Sequence, residues 1–248
     1  ESTANSTAAK NALAEAERVF AAAVETARTE KREGALDGQQ SLLMDASTGR
    51  RMIHRTLPEL KELADRTTVE FLVQIQKDAH FNFQLARDLA QGGTATFVGF
   101  EKGRILSYRP GTFEELQVGT FDLAQGVRRF KVHMTLDLVN DVCRLTVTDV
   151  EHDKVLCDAQ TIALNGWKPV GNANQGILMD ARTGTVAIVD HIRICSPVEQ
   201  GAGLPQSCLY ECGFESPDFA DGEDAVGVAG WVRTSYSAEP ATSLASAV

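Results

Sequence analysis

The strongest constraint on the fold is an alternation of apolar and polar residues with a period of two. It is regular from Val69 to Ile75, where odd positions are apolar, and from Phe130 to Leu138, where even positions are apolar. This pattern is typical of strands that bury one face. Turn-forming residues separate roughly ten such segments, and no long helical pattern intervenes. The sequence therefore predicts an all-β fold with antiparallel sheets.

The last strong strand pattern carries an acidic residue on its apolar face. If alternation is unbroken, that face holds the aliphatic residues Val186, Ile188, Ile192 and Ile194. Asp190 then points in the same direction. Burying a lone carboxylate is costly, so Asp190 is expected to be hydrogen-bonded, paired or metal-bound.

The first part of the chain, residues 1–34, has a helical pattern. Its apolar residues recur at alternating spacings of four and three, in the series Ala9, Leu13, Ala16, Phe20, Ala23 and Ala27. This predicts one amphipathic α-helix. The helix either packs on its own domain or acts as a stalk or assembly helix that follows an upstream segment. Because residue 1 is Glu and not Met, we expect a processed or trimmed chain.

The five cysteines divide into two groups. Cys143 and Cys157 fall within predicted strands and are expected to be small buried residues. A disulfide from Cys195 to either Cys208 or Cys212 would attach the end of the chain to the last strong strand. The alternatives are that all five thiols are reduced, or that Cys208 and Cys212 bind zinc, although the sequence offers no second pair of ligands.

The charge balance argues against one large class of function. The net charge is −10, whereas nucleic-acid binding requires a basic surface. No apolar run approaches the ~20 residues that a helix needs to cross a bilayer. We therefore expect neither a nucleic-acid partner nor a membrane span in this chain.

Five segments carry a resemblance to known proteins: residues 96–108, 121–123, 129–133, 143–157 and 186–194. They resemble the middle and the closing strand of concanavalin A-like (laminin G-like) jelly-roll domains of the bacterial surface type. The resemblance covers about two thirds of the chain, and its loose motifs inform the fold more than the function. It implies an antiparallel jelly-roll β-sandwich over residues 35–197.

The motifs that open such domains occur in this chain after the predicted sandwich and not before it. Such domains often begin with Phe-Glu-Ser-Pro and a later Gly-Trp, and these elements occur here only near the end, at 214–217 and 230–231. Residues 198–248 therefore read as a linker and a strand-bearing tail that resembles the opening strands. The tail either completes its own sandwich or pairs with a neighbouring copy. Both interpretations place Phe214 and Glu215 beside the strand that carries Asp190.

The resemblance also implies candidate chemistry. Glycosidases of this fold carry paired carboxylates on one inner strand, and the sequence has no such motif, so we do not expect an enzyme. A structural calcium ion held by Asp190 and Glu215 is implied, with backbone carbonyls supplying further ligands. The alternative is that Asp190 bonds to loop amides, and no cofactor is required for the fold.

Sugar binding in such modules uses exposed aromatic rings, and aromatic residues make up 6% of this chain. We select Trp167, in a predicted loop, and Tyr108 as ligand-binding candidates. The alternative for Trp167 is that it caps one end of the core.

These observations lead to one principal functional hypothesis. The chain is expected to be a non-catalytic, extracellular or cell-surface structural or adhesive module. It would assemble through its tail strand or its N-terminal helix, with itself or with another surface protein. One alternative is a carbohydrate-binding module of a larger protein with a polysaccharide partner, and a second is a glycoside-active enzyme.

Overall fold

The computed structural model describes residues 41–57, 67–76, 79–89, 93–166, 174–196, 207–214, 229–233 and 245–247. All of them belong to the larger of two units of the chain, Leu36–Val248. The predicted helix of residues 1–34 lies outside the described residues.

The described ranges contain fifteen strands and no α-helix. In chain order the strands are β1 (Leu42–Ala46), β2 (Arg51–Thr56), β3 (Thr68–Ile75), β4 (His80–Asp88), β5 (Gly93–Glu101), β6 (Arg104–Tyr108), β7 (Glu115–Thr120), β8 (Arg128–Asp137), β9 (Val142–Asp149), β10 (Lys154–Ala163), β11 (Gly176–Ala181), β12 (Thr185–Ser196), β13 (Ser207–Cys212), β14 (Trp231–Arg233) and β15 (Ala245–Ala247). A short 3₁₀ helix spans Leu123–Gln125.

The strands form two antiparallel sheets. The eight-stranded sheet has the order β10-β9-β8-β3-β12-β1-β15, with β13 also paired to β12. The seven-stranded sheet has the order β14-β2-β11-β4-β5-β6-β7. One apolar core combines side chains from both sheets, including Phe71, Phe83 and Phe130. The predicted all-β antiparallel sandwich is therefore confirmed.

Alternation along the strands produces this core as predicted. In β3 the residues Val69, Phe71, Val73 and Ile75 are buried and their neighbours are only partly so. Side chains of a strand point alternately to its two faces, so one face of β3 meets the other sheet. The rings of Phe71 and Phe83 stack across the interface with centroids 4.1 Å apart.

The prediction for the closing strand β12 is wrong in one respect. Ala187 and Val189 are fully buried, whereas Val186 and Ile188 are only partly buried, and burial returns at Ile192. The pairing of β12 with β3 shifts register between Asp190 and Arg193. A β-bulge here adds one residue, so the core-facing positions change from odd to even numbers. His191 has a φ of +50° at this bulge.

The tail contributes strands to both sheets of its own chain. β13 lies beside β12, β14 beside β2 and β15 beside β1. The side chains of Phe214 and Trp231 are fully buried, with ring centroids 5.8 Å apart. Both belong to the same apolar core as the two sheets.

β13 and β1 occupy the same side of β12, one after the other. β1 pairs with residues 185–189 of β12 and β13 pairs with residues 192–196, while β3 covers the opposite side. Phe214 is two residues beyond the last residue of β13, at the end of β13 that lies opposite Ile192, next to the bulge. The disulfide Cys195–Cys208 joins β12 to β13. Of the two pairings that the sequence left open, this is the one present, and Cys212 is a buried free thiol.

No helix of sufficient length and apolar character to cross a membrane occurs in the ranges that the structure describes.

Candidate functional site

The outer face of β4, β5, β6 and β7 presents polar and aromatic side chains to solvent, and we call it the ligand face. Its side chains follow from alternation. On β4 the residues Phe81 and Phe83 enter the core, so His80 and Asn82 point outward. On β6 Ile105 enters the core, so Arg104 and Tyr108 point outward.

The neighbouring part of the same sheet, around β11, is buried on its outer face. Outward-pointing Met52, Ala86, Leu89 and Leu178 form a second buried apolar cluster. β11, which carries Leu178, is buried along its whole length. The β4–β7 part of the outer face lies beside this buried cluster and, among the described residues, carries the polar and aromatic side chains considered next.

A network of charged residues, joined by one hydrogen bond and two longer ionic contacts, crosses the ligand face. The Nη2 of Arg104 donates to Glu101 at 2.7 Å, and its Nη1 lies 3.6 Å from a carboxylate oxygen of Glu115. His80 Nδ1 lies 3.6 Å from Glu101. Burial lowers the pKa of His80, an effect that Glu101 partly opposes. The imidazole is therefore neutral near pH 7 and can both donate and accept a hydrogen bond.

A buried ion pair supports one side of this network. Asp180 on β11 is 1% exposed. Its carboxylate accepts two hydrogen bonds from Arg50, from Nε at 2.7 Å and from Nη2 at 2.7 Å, and Arg182 Nε lies 3.3 Å away. Bidentate guanidinium–carboxylate geometry fixes both partners in orientation.

The formal charges of the network cancel. Its carboxylates belong to Asp180, Glu101 and Glu115, and its guanidinium groups to Arg50, Arg104 and Arg182. With His80 neutral, the face offers many donors and acceptors without excess charge. Such a surface suits a neutral polar ligand better than a highly charged one.

Three aromatic rings adjoin the network, and we call them the aromatic corner: Phe97, Tyr108 and Phe113. Phe97 and Tyr108 meet edge to face with centroids 4.5 Å apart, and Tyr108 and Phe113 do so at 5.6 Å. Phe113, in the β6–β7 turn, is 60% exposed. Burial, and then Glu115, raises the pKa of Tyr108, so its hydroxyl is protonated at neutral pH.

Sequence reasoning found Tyr108 but not Phe113. The signal available was the turn dipeptide Pro110-Gly111, two residues before Phe113. A large apolar residue in a turn lies outside the alternating pattern that directs strand residues into the core. Trp167, the other ligand-binding candidate, lies outside the described residues.

A second loop supports the turn that carries Phe113. Asn165 Nδ2 donates to the carbonyl of Thr112 at 2.8 Å. The amide of Gly166 donates to the carboxylate of Asp141 at 3.0 Å. The first bond anchors a turn that lies more than fifty residues away in sequence, and the second attaches the same loop to the β8–β9 turn.

Asp190, a predicted metal ligand, is fully buried at the bulge of β12. The hydroxyl of Ser41 donates to its Oδ2 at 2.9 Å, and the backbone amide of His191 donates to its Oδ1 at 2.7 Å. Glu215 lies outside the described residues, so the calcium site stays a prediction.

Within the described residues, one group of His, Cys, Asp and Glu side chains is close enough to hold a metal, and it does not include Asp190. It consists of Asp149, Glu151 and His152. The carboxylate of Asp149 is already hydrogen-bonded to the buried Arg128. His152 Nδ1 lies 3.2 Å from the same carboxylate. These contacts between protein side chains account for the closeness of Asp149 and His152.

The three free thiols should be unreactive in the folded protein. Burial is the main cause that raises the pKa of Cys143, Cys157 and Cys212. Ellman's reagent at pH 8 should detect no thiol in the native chain, and all three after unfolding without reductant. Because unfolded thiols ionise first, the stability of the fold should also fall as pH rises above about 8.5. Rapid labelling of Cys212 in native protein would contradict its burial.

Comparisons with known proteins find no matching protein-family model and no matching curated protein. Among solved structures, sheep galectin-11 in complex with glycerol is 14% identical with a TM-score of 0.33, over 57% of this chain and 96% of that one. Mouse laminin α1 chain domains LG4–5 are 10% identical with a TM-score of 0.35, over 75% of this chain and 50% of that one. An exo-inulinase from Aspergillus awamori is 15% identical with a TM-score of 0.33, over 60% of this chain and 27% of that one.

Similarities of this size carry no information about a ligand or an activity. The two packed antiparallel sheets confirm the antiparallel β-sandwich that the sequence predicts. The resemblance to concanavalin A-like domains stays a prediction.

Proposed function

We propose that this chain is a non-catalytic adhesive module that binds a neutral carbohydrate on its ligand face. The observation that carries the proposal is the exposed aromatic corner beside a charge-balanced polar network, on the open part of one sheet. Binding sites for small molecules commonly combine apolar rings with a few positioned polar groups.

The chemistry of the two parts is complementary to a sugar. An aromatic ring presents an apolar surface with a negative face, against which the C–H groups of a sugar ring pack. The hydroxyl groups of a sugar each donate and accept hydrogen bonds, and arginine and carboxylate side chains supply both partners. Arg104 and Glu101 are held in place by each other, which lowers the ordering cost on binding.

Binding without turnover is supported by the state of the carboxylates on this face. Asp180 is engaged bidentately by Arg50, Glu101 is hydrogen-bonded to Arg104, and Glu115 lies 3.6 Å from Nη1 of the same Arg104. Glycoside hydrolysis needs one carboxyl group as an acid and a second free to act as nucleophile or base. We assign no catalytic residue and no required cofactor.

An extracellular or cell-surface location is supported by the disulfide Cys195–Cys208. Disulfides persist in oxidising compartments and are rare in the cytosol. The polysaccharide partner of such a module would then belong to a cell surface or an extracellular matrix.

The test is binding to an array of neutral oligosaccharides, followed by calorimetric titration of the best ligand. Phe113→Ala should weaken binding at least about tenfold, since it removes an exposed ring worth about 1.4 kcal/mol or more. Tyr108→Ala should act in the same direction.

Val139→Ala is the matched control for these substitutions. Val139 is a large apolar residue exposed in the β8–β9 turn of the other sheet, at 72% exposure. Its replacement should leave affinity unchanged. The proposal fails if no neutral oligosaccharide is retained, or if Phe113→Ala and Val139→Ala bind alike.

A further inference from the structure

The edge of β12 along residues 192–196, opposite β3, pairs with a strand of the tail. We infer that a second copy of this chain can fill it with its own tail, and that the Cys195–Cys208 disulfide decides between the two arrangements. In the oxidised protein β13 of the same chain occupies the position. After reduction, two copies exchange their tails and form a dimer.

The acceptor position is defined by backbone pairing and by alternating side chains. β13 forms a ladder with β12 from Ile192 opposite Cys212 to Ser196 opposite Ser207. Tyr210, Cys212 and Phe214 are buried in the core, whereas Glu211 between them is exposed. The position therefore selects an extended segment with apolar side chains at every second residue, as in β-strand addition.

The requirements on an occupant involve more than the strand that pairs with β12. β14, which carries Trp231, covers the side of β2, and β15 covers the side of β1. An occupant must therefore place strands against both sheets. The tail of another copy meets every one of these requirements, because its sequence is the same.

Exchange of identical elements reproduces each contact and gives a closed two-fold dimer. β13 and β1 are separate strands that follow one another along β12, so β1 keeps its pairing with β12 when the tail leaves. The connection between β12 and β13, residues 197–206, lies outside the described residues. A chain of roughly ten residues reaches up to about 33 Å when extended, enough to enter a neighbouring copy.

The disulfide blocks this exchange by topology. Cys195 lies on β12 and Cys208 on β13, thirteen residues apart in sequence, so an oxidised tail remains tied to its own β12. Arg193 Nη2 donates to Cys208 Sγ at 3.4 Å. A neighbouring cation stabilises the thiolate, which makes Cys208 the better leaving group in reduction.

The chemical step is thiol–disulfide exchange with a dithiol. One thiolate of the dithiol attacks the disulfide and releases the Cys208 thiolate. The second thiolate then displaces Cys195, which leaves two cysteine thiols and a cyclic disulfide of the reagent. Oxidised glutathione reverses the step, because two cysteine thiols give up two electrons and two protons to form two molecules of glutathione. In an exchanged dimer, Cys195 of each chain would then pair with Cys208 of the other.

The experiment mixes unlabelled and ¹⁵N-labelled full-length chain in equal amounts. One sample is kept oxidised, and the other is reduced with dithiothreitol at high protein concentration and then reoxidised with glutathione disulfide. Native mass spectrometry, non-reducing electrophoresis and peptide mapping follow. We expect monomers in the oxidised sample. We expect disulfide-linked mixed dimers after reoxidation, in the proportions of random pairing, with Cys195–Cys208 peptides that combine both labels.

Two variants separate the disulfide from the other thiol on β13. Cys195→Ser should exchange without reductant and form non-covalent mixed dimers. Cys212→Ser should behave like the unmodified protein, because Cys212 is free.

Protein that remains monomeric after reduction and reoxidation, together with a monomeric and folded Cys195→Ser, would overturn the inference. So would mixed dimers whose cross-link maps to Cys212. These outcomes do not depend on the ligand face, which lies on the other sheet. Failure of carbohydrate binding is therefore distinguishable from failure of tail exchange.

Discussion

Replacing Trp231 by alanine should lower the free energy of unfolding by about 3–5 kcal/mol, the range measured for large buried aromatic residues. Trp231 is the largest fully buried side chain of the described residues. Its ring packs against Phe214, and β14 pairs through Trp231 with Arg55 of β2. The substitution leaves a cavity at the place where the tail joins the core. Urea unfolding followed by far-ultraviolet circular dichroism measures the effect.

Val232→Ala is the neighbouring control. Val232 lies on the same short strand but is 48% exposed, and surface substitutions usually change stability by less than about 0.5 kcal/mol. Trp231→Phe should fall between the two, because it keeps a ring but loses part of the buried area. If Trp231→Ala unfolded at the urea concentration of the unaltered chain, the tail would not be an integral part of this core.

The repeated alternation was enough to predict the sandwich, and its failure at β12 has a local cause. A β-bulge adds a single residue, and nothing in the residue types near Asp190 and His191 marks the addition. His191 adopts positive φ without being glycine, so the usual turn signal is missing. The residues before the bulge were therefore assigned to the wrong face, whereas those after it were assigned correctly.

The candidate site was less predictable because its parts are distant in sequence. Tyr108 could be selected as an aromatic residue expected to be exposed, but the pairing of Arg50 with Asp180 spans 130 residues. The same holds for the contact between Asn165 and Thr112. Charge-balanced networks of this kind arise from sheet order and register, which strand patterns alone do not specify.

The second large effect is expected at the buried ion pair between Arg128 and Asp149. The carboxylate of Asp149 is fully buried and the guanidinium of Arg128 nearly so. Nε and Nη1 of Arg128 have no other hydrogen-bond partner in the described part of the chain. Asp149→Leu should therefore destabilise the fold by about 3–5 kcal/mol, because it leaves a buried charge uncompensated.

The double variant Arg128→Met/Asp149→Leu distinguishes the cost of an unpaired charge from the loss of a favourable contact. Replacing both charges with apolar groups of similar size is often neutral or stabilising, so the double variant should be markedly more stable than Asp149→Leu alone. A double-mutant cycle from urea unfolding gives the coupling between the two positions.

The adjacent pair of Arg129 and Glu151 supplies the comparison, since its charged atoms are 3.9 Å apart and both side chains are more than a third exposed. Glu151→Gln should cost at most about 1 kcal/mol, as exposed pairs usually do. The two pairs lie at the same end of β8 and the β9–β10 turn and differ mainly in burial. If Asp149→Leu and Glu151→Gln were equally mild, burial would not determine the energetic role of charges at this end of the sandwich.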